Sequence, residues 1–313
     1  MNPCASIETL IKDEARQLGF DACGFAAAEP VDDDAVQRYS QWIARGEHSC
    51  MTWAERYADI RRDPQLLLPG AKSVICLAMN YFPNRIRPAD APQFAYYAYG
   101  RDYHEVLRDR SRKLAQFIQE QTGCLSRVCV DSAPMRERYW AQKSGIGFVG
   151  LNNMIILPGK GSFFVLCEVI TELELIPDAP CTLTCGECHA CEQHCPGQAL
   201  HNGVVDTRKC LSCQTIENRD ERLPEWIEQR IGNHVYGCDE CQLCCPHNRH
   251  ATPTSIPEFQ PTDEFLNLNA QAILDMTQEQ FSRIFSHSAV KRVKLAGLQR
   301  NMRTILKNKR SNP

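Results

Sequence analysis

The order of apolar and polar positions over the first 175 residues predicts a mixture of helices and strands. Apolar residues recur at helical spacing in four stretches, which are 5–18, 34–45, 103–121 and 134–144. Runs rich in β-branched and aromatic residues predict four strands, at 73–80, 127–131, 153–157 and 162–170. In the first helix, one side carries Ile7, Leu10, Ile11 and Leu18. This pattern predicts a mixed α/β domain over residues 1–175.

The pattern changes twice further along the chain. The proline-bounded link IPDAP, at 176–180, leads into a cysteine-rich segment, and TPTSIPEFQPTDEF connects that segment to helical periodicity over 263–310. We therefore expect an α+β protein in three parts: a mixed α/β domain (1–175), a ferredoxin-like domain (176–250) and a helical C-terminal segment (251–313).

Composition places the chain among globular proteins, because 43% of its 313 residues are apolar and 23% are charged. No apolar run approaches the roughly 20 residues that a membrane span needs. The N-terminal stretch carries acids where a signal peptide has an apolar core, and it lacks paired arginines. We expect a cytoplasmic protein with no membrane partner.

The unusual feature is the number of cysteines, which is 18. Eleven lie between Cys181 and Cys245, and in a reducing compartment such a group predicts metal binding or redox chemistry rather than disulfides. The other seven occur singly, and we expect them to act as small buried hydrophobes: Cys4, Cys23, Cys50, Cys76, Cys124, Cys129 and Cys167.

The spacing within the cysteine-rich segment is typical of an iron–sulfur protein. Cys185, Cys188, Cys191 and Cys195-Pro196 follow the C-x2-C-x2-C-x3-C-P run of bacterial two-cluster ferredoxins. In that arrangement, three thiolates bind one 4Fe–4S cluster and the fourth reaches the other cluster. Structural zinc sites are the alternative, but zinc favours C-x2-C pairs separated by a longer loop.

A second half of the motif follows some forty residues later, in GCDECQLCCP. Aligned on the prolines, Val235 stands opposite Cys185, so one ligand must come from DTRKCLSCQ, where Cys210 and Cys213 are both available. Cys244 falls outside the register of ligands. We predict Cys210 rather than Cys213, which gives one cluster on Cys185, Cys188, Cys191 and Cys245, and the other on Cys195, Cys210, Cys238 and Cys241.

Two clusters transfer single electrons, so the substrate must bind elsewhere in the chain. The N-terminal domain has neither a G-x-G-x-x-G nor a P-loop motif. Its notable stretch is VDSAPMRERYWAQKSGIGFVGLNN, in which a predicted strand ends at Asp131 and Ser132 and Pro134 are expected to begin a helix. Asp131 is either an active-site carboxylate or a helix cap.

Positive charge is concentrated at the C-terminus, where nine Lys or Arg and no acids follow Phe281. On a helical wheel, one face carries Arg292, Arg300, Arg303 and Lys307. We expect this face to contact nucleic-acid phosphates, although such a face is often only solvated.

Several motifs together resemble the epoxyqueuosine reductase family, the cobalamin-dependent iron–sulfur enzymes that complete queuosine synthesis on tRNA. The resemblance covers almost the whole chain and rests on RRDPQLLLPGAKSV, YGRDYH, VDSAPMRERYWAQKSGIGFVGLNN, the ferredoxin run, CLSCQTIE and GCDECQLCCPHN. Cys213 and Cys244 depart from the family, which usually has an aromatic and a small apolar residue at these positions.

The resemblance implies a cobalamin domain related to reductive dehalogenases, with Asp131 as the proton donor. Cobalamin would be bound base-off, since the chain lacks the D-x-H-x-x-G motif of other corrinoid proteins. Asp131 is expected to need a pKa raised by burial beside the corrin. Candidate corrin contacts, which include Asp131 itself, are Arg62, Tyr99, Arg101, Tyr103, His104, Ser132, Pro134, Arg136, Gly147, Gly150 and Asn152. For His104, a purely structural role is the alternative to a corrin contact.

The implied partners are tRNA, bound at an anticodon loop that carries epoxyqueuosine, and an electron donor such as flavodoxin or ferredoxin. The protein is expected to be a monomer. Two other functions are weighed against this one: a cobalamin-dependent dehalogenase acting on a small molecule, and an electron-transfer ferredoxin fused to an interaction domain.

Overall fold

The computed structural model describes residues 5–311, so the prediction for Cys4 lies outside the described residues. The α-helices of this part are α1 (Ile7–Gln17), α2 (Asp33–Ala44), α3 (Ala58–Arg62), α4 (Tyr103–Thr122), α5 (Glu137–Lys143), α6 (Ala190–His194), α7 (Leu211–Ile216), α8 (Glu225–Glu228), α9 (Glu240–Leu243), α10 (Asp263–Leu266), α11 (Ala270–Leu274), α12 (Gln278–Ile284) and α13 (Lys294–Ser311). The strands are β1 (Ala22–Ala27), β2 (Ser73–Asn80), β3 (Gln93–Phe94), β4 (Ser126–Cys129), β5 (Phe148–Val149), β6 (Ile155–Ile156), β7 (Phe164–Thr171), β8 (Leu200–His201), β9 (Val204–Val205) and β10 (His234–Tyr236).

The central sheet has the order β1-β2-β7-β4, and neighbouring strands are antiparallel. Every residue of β2 and β7 is buried, because helices and loops cover both faces of the sheet. This explains why both strands have continuous apolar runs rather than alternating patterns. The register places Glu168 of β7 between Cys76 of β2 and Cys129 of β4.

The three predicted parts share one hydrophobic core. A single cluster of buried side chains extends from Ile11 of α1, through Leu77 of β2 and Val235 of β10, to Ile305 of α13. Strand β10 of the cysteine-rich segment also pairs in parallel with β3 of the N-terminal part. The cysteine-rich segment is therefore fixed against the N-terminal part by backbone hydrogen bonds as well as by apolar contacts.

None of the helices in the described part of the chain is both long and apolar enough to cross a bilayer.

Candidate active site

Asp131 lies in a loop between the end of β4 and the start of α5. Its φ of 38° is left-handed, which is uncommon for a residue with a side chain. Helix α5 begins only at Glu137, with Arg136 as its N-cap, so the expectation that Ser132 and Pro134 begin the helix is wrong. The helix-cap interpretation of Asp131 is wrong for the same reason. Instead, the backbone N–H of Asp131 donates to Oε1 of Glu137 at 2.8 Å.

The start of α4 brings two polar side chains to Asp131. Asp102 is the N-cap and accepts a hydrogen bond from the backbone N–H of His104, which sets the direction of the first turn. Tyr103 donates its hydroxyl proton to Oδ2 of Asp131 at 2.6 Å, and Nε2 of His104 lies 2.7 Å from the same oxygen. Nδ1 of His104 lies 2.7 Å from Asp102. His104 therefore bridges two carboxylates.

These contacts place the proton on His104 rather than on Asp131. Burial raises the pKa of Asp131, but hydrogen bonds from His104 and Tyr103 outweigh burial and hold it below the ordinary value. Burial likewise lowers the pKa of His104, while its bonds to Asp102 and Asp131 outweigh this and raise it to about 9. Among the described residues the pKa of Asp131 is therefore lowered rather than raised, and the rise from burial beside a corrin stays a prediction.

Two further carboxyl groups lie behind Asp131. Burial and the negative charge of Asp131 raise the pKa of Glu137 to about 8. Glu168 is 1% exposed, and neither of its carboxyl oxygens has a hydrogen-bond partner within residues 5–311. Burial, with the charges of Glu137 and Asp131, raises the pKa of Glu168 well above its ordinary value. Glu168 therefore favours its protonated form more strongly than an ordinary glutamate does.

Cysteines from the two halves of the ferredoxin-like segment lie close together around Cys185, Cys188 and Cys191. Burial raises the pKa of Cys245, and the nearby thiols of Cys185 and Cys188 add to this effect. Burial raises the pKa of Cys191 most, and the nearby thiols of Cys244 and Cys185 raise it further. The backbone N–H of Leu151 points at the sulfur of Cys185, at 3.4 Å.

A second set of four cysteines lies around α9. Burial raises the pKa of Cys241 well above its ordinary value, and Cys238, Cys210 and Cys195 each add to it. A side chain at Gly197 would collide with the carbonyl of Lys209, so the loop that follows Cys195 closes tightly onto the segment carrying Cys210. The assignment of individual cysteines to the two clusters stays a prediction.

The remaining cysteines of the segment lie beside these sets. The sulfur of Cys213 is 3.9 Å from that of Cys50, so Cys50 contacts a second thiol rather than acting as an isolated hydrophobe. The Cys244 thiol donates to the carbonyl of Cys241 at 3.7 Å. Within residues 5–311, no three His, Cys, Asp or Glu side chains close around a position suited to a single metal ion.

Short segments connect both cysteine sets to the Asp131 group. The backbone N–H of Tyr96 donates to Asp239, between two cysteines of the second set, and the same segment continues to Asp102. Asn152 donates to the carbonyl of Cys241 at 3.2 Å. Arg138 of α5 donates to the carbonyl of Asn153 at 2.8 Å. The loop around Asn152 thus contacts the cysteine-rich segment on one side and α5 on the other.

The other candidate corrin contacts are dispersed. Tyr99 is buried against Tyr96 and Phe265, and Arg101 pairs with Glu105. Side chains at Gly147 and Gly150 would collide with Ile156, so both glycines allow β5 and β6 to approach closely. Arg62 pairs with Asp33 at the surface. Nε of Arg136 is buried without a partner among the described residues.

The predicted cationic face of the C-terminal segment is only partly exposed, because Arg303 is exposed whereas Arg300 is buried. Arg300 is 6% exposed, and its guanidinium donates to the backbone carbonyls of Asn218 and Asp220. Arg292 forms a two-bonded ion pair with Glu217, and Lys307 pairs with Glu228. Arg292, which precedes α13, and Arg300 and Lys307 of α13 thus join this part of the chain to the cysteine-rich segment.

Sequence reasoning missed Asp102, Glu137 and Glu168 as members of the group around Asp131. For Asp102 a signal existed, because an aspartate two residues before a histidine at a helix start is a common N-cap. Glu168 gives a weaker signal, as a single acid within the apolar run SFFVLCEVI.

Comparison with known proteins finds two matching sequence models. Residues 61–132 match the one described as "Epoxyqueuosine reductase QueG, DUF1730", and residues 184–248 match the one described as "4Fe-4S double cluster binding domain". The second match covers both cysteine sets and confirms the prediction of two 4Fe–4S clusters over structural zinc.

Curated relatives match the chain over nearly its full length. The chain is 39% identical to an epoxyqueuosine reductase of Cellulophaga algicola, with 96% of this chain and 99% of the relative covered. It is 41% identical to one of Leadbetterella byssophila, with coverage of 93% and 96%.

Solved structures of epoxyqueuosine reductases have the same fold. One, which holds an epoxyqueuosine-modified tRNA-Tyr stem loop, matches with a TM-score of 0.87 at 29% identity, over 96% of this chain and 81% of the other. Another, from Bacillus subtilis, matches with a TM-score of 0.89 at 29% identity, over 98% and 82%. The α+β prediction is therefore confirmed, and the chain belongs to the epoxyqueuosine reductase family.

Proposed function

We propose that this chain reduces epoxyqueuosine in tRNA to queuosine, with cobalamin and two 4Fe–4S clusters. The observation that carries the proposal is the Asp102–His104–Asp131 arrangement, which short segments connect to both cysteine sets in a member of this family. A matching structure holds a modified tRNA stem loop, which supports tRNA as the substrate here. Family membership does not favour the dehalogenase or the fused-ferredoxin alternative.

The cluster ligands follow from the two sets of thiols. Cys185, Cys188, Cys191 and Cys245 bind the first cluster, and Cys195, Cys210, Cys238 and Cys241 bind the second. Cys210 is preferred to Cys213 because the Cys210 thiol is near enough to raise the pKa of Cys238 and of Cys241. The Cys213 thiol instead contacts that of Cys50. Backbone N–H groups that point at cluster sulfurs, such as that of Leu151, help to set the reduction potential.

The residues around Asp131 fit a base-off cobalamin. His104 has both ring nitrogens within 2.7 Å of carboxylate oxygens, so it has no free nitrogen to offer to cobalt. The side chain of Asp131 is 44% exposed and accessible to a ligand. Tyr103, His104 and Asp131 would contact the cofactor or the substrate. Asn152 would lie between the cofactor and the second cluster, because it donates to the carbonyl of Cys241. Bound cobalamin supplies a low-potential electron donor for cleavage of a strained C–O bond.

The task of the Asp131 group is to deliver protons. Opening the epoxide and forming the alkene consumes two electrons and two protons and releases one water. His104 holds a proton at neutral pH and shares it with Asp131 through a 2.7 Å hydrogen bond. A proton transferred to Asp131 from His104 can pass to the departing oxygen, while Asp102 stabilises His104 in the required orientation.

The supporting partners follow from this chemistry. A one-electron donor such as flavodoxin or ferredoxin reduces the clusters after each turnover. The chain acts as a monomer in the cytoplasm. A Bacillus subtilis relative has the loop of a catalytic aspartate swung out of its active site. That relative supports a reactive role for Asp131, which also lies in a loop.

The decisive variant is Asp131→Asn, compared with Asp109→Asn, which alters an exposed carboxylate on α4. We expect Asp131→Asn to retain cobalamin and both clusters and to lose at least about 100-fold in turnover, because the proton relay ends at residue 131. Anaerobic absorption spectra and single-turnover conversion of a modified stem loop measure both properties. Wild-type turnover in Asp131→Asn would refute the assignment.

A further inference from the structure

A cavity of about 460 Å³ opens beside the edge strand β4, outside the Asp102–His104–Asp131 arrangement. Ser132 and Pro134, which belong to the Asp131 loop, form part of its wall. The remaining wall comes from α4, β4 and the segment around Tyr57. A molecule bound in this cavity would therefore touch the same loop that carries Asp131.

Three guanidinium groups line the cavity, those of Arg108, Arg112 and Arg127. Arg108 and Arg112 lie one turn apart on α4, where two like charges destabilise a helix slightly. Neither has a carboxylate partner among the described residues, whereas Arg101 on the same helix pairs with Glu105. Arg127 is fixed by a bond from its guanidinium to the carbonyl of Leu67 at 2.6 Å. The cavity therefore carries positive charge that the protein does not neutralise.

An exposed aromatic side chain lies at the same cavity. Tyr57 is 61% exposed, although it is a large apolar residue, and its φ of 61° is left-handed. Such a backbone is costly for a bulky residue and holds the ring outside the core. Exposed rings beside arginines form the combination that binds single-stranded nucleic acid, since a ring stacks on a base and a guanidinium contacts phosphate.

We propose that this cavity binds phosphates of the unpaired RNA segment that flanks the reacting nucleotide, with Tyr57 stacking on a base. The inference rests on the proposed function and names the surface that holds its RNA substrate. It adds a second site of phosphate contact to the C-terminal segment, where Arg300 is buried and bonded to backbone carbonyls.

The test measures binding of a fluorescein-labelled anticodon stem loop to the cobalamin- and cluster-loaded enzyme, at several salt concentrations. The double variant Arg108→Gln/Arg112→Gln removes two cavity charges. We expect its affinity to fall about tenfold or more, and the slope of log affinity against log salt to decrease by about 1.4, or about 0.7 for each phosphate contact. Tyr57→Ala should weaken binding about tenfold without changing that slope.

The matched control is Lys113→Gln/Arg222→Gln, which removes the same charge. Lys113 follows Arg112 on α4 but lines a different cavity. Equal losses in the two double variants would overturn the inference, as would unchanged affinity in Arg108→Gln/Arg112→Gln. Binding is measured without turnover, so an enzyme that binds through the cavity but does not reduce the epoxide would contradict only the proposed function.

Discussion

The cysteine-rich segment and the group around Asp131 differ in what determines them. In the segment, the C-x2-C spacing recurs in two halves, so the ferredoxin pattern predicted two sets of four thiols although each set takes cysteines from both halves. Around Asp131, the partners are 27 and 28 positions away in sequence, at His104 and Tyr103. The protonation states of Asp131 and His104 depend on the hydrogen bond between these two side chains. Spacing is enough to predict candidate metal ligands, whereas the charge state of a catalytic carboxylate requires its neighbours from other elements.

The largest expected effect tests the first half of this comparison. Cys238→Ser should remove the second cluster, so iron falls from about eight to about four per chain and turnover is lost. Cys213→Ser and Cys244→Ser should each keep about eight iron, because neither thiol belongs to a set of four. Iron analysis and absorption spectra after anaerobic reconstitution measure this. Loss of iron in Cys213→Ser, with full iron in Cys210→Ser, would reverse the choice between those two ligands.

The variant His104→Gln tests the second part of the comparison, which is that the charge state of Asp131 depends on a neighbour from another element. In the wild type, the pKa of His104 near 9 predicts turnover that is level through neutral pH and declines above about 9, as His104 loses its proton. The variant should lose about 100-fold at neutral pH, and the decline near pH 9 should disappear. Single-turnover rates between pH 6 and 10 measure both. An unchanged pH profile in a variant that still binds cobalamin would leave His104 with only a structural role.

Glu168→Gln should have the smallest effect, on stability alone. The pKa of Glu168 is raised in the folded protein, so the unfolded chain binds fewer protons above pH ~4.3 and stability falls as pH rises, by at most ~1.4 kcal/mol per unit. Gln removes this contribution, so stability should fall less between pH 5 and 7. Denaturant unfolding of the variant and of Glu174→Gln, an exposed control, measures the difference. Equal slopes in wild type and Glu168→Gln would mean that Glu168 is ionised.

Much of the fold was predictable because burial leaves a local signature. The run SVICLAMN predicted a strand over 73–80, and β2 has these bounds. Strand β1, ACGFAA, was missed because alanine and glycine have weak strand preference, and its pairing with β2 determines its conformation. Arg300 was misassigned because a helical wheel cannot show that residues 214–220 cover that face. The placement of Asp131 in a loop was missed because a Ser-Ala-Pro sequence also fits a helix start.

The last helix has a consequence for how the segments that carry the second set of thiols are held together. The side-chain amide of Asn301 donates to the carbonyls of Thr215 and Val235, at 2.8 and 2.9 Å, close in sequence to Cys213 and Cys238. Asn301 is fully buried, so without its amide both carbonyls would lose a partner that water cannot readily replace. One side chain of the last helix thus joins the two chain segments that carry Cys210 and Cys238.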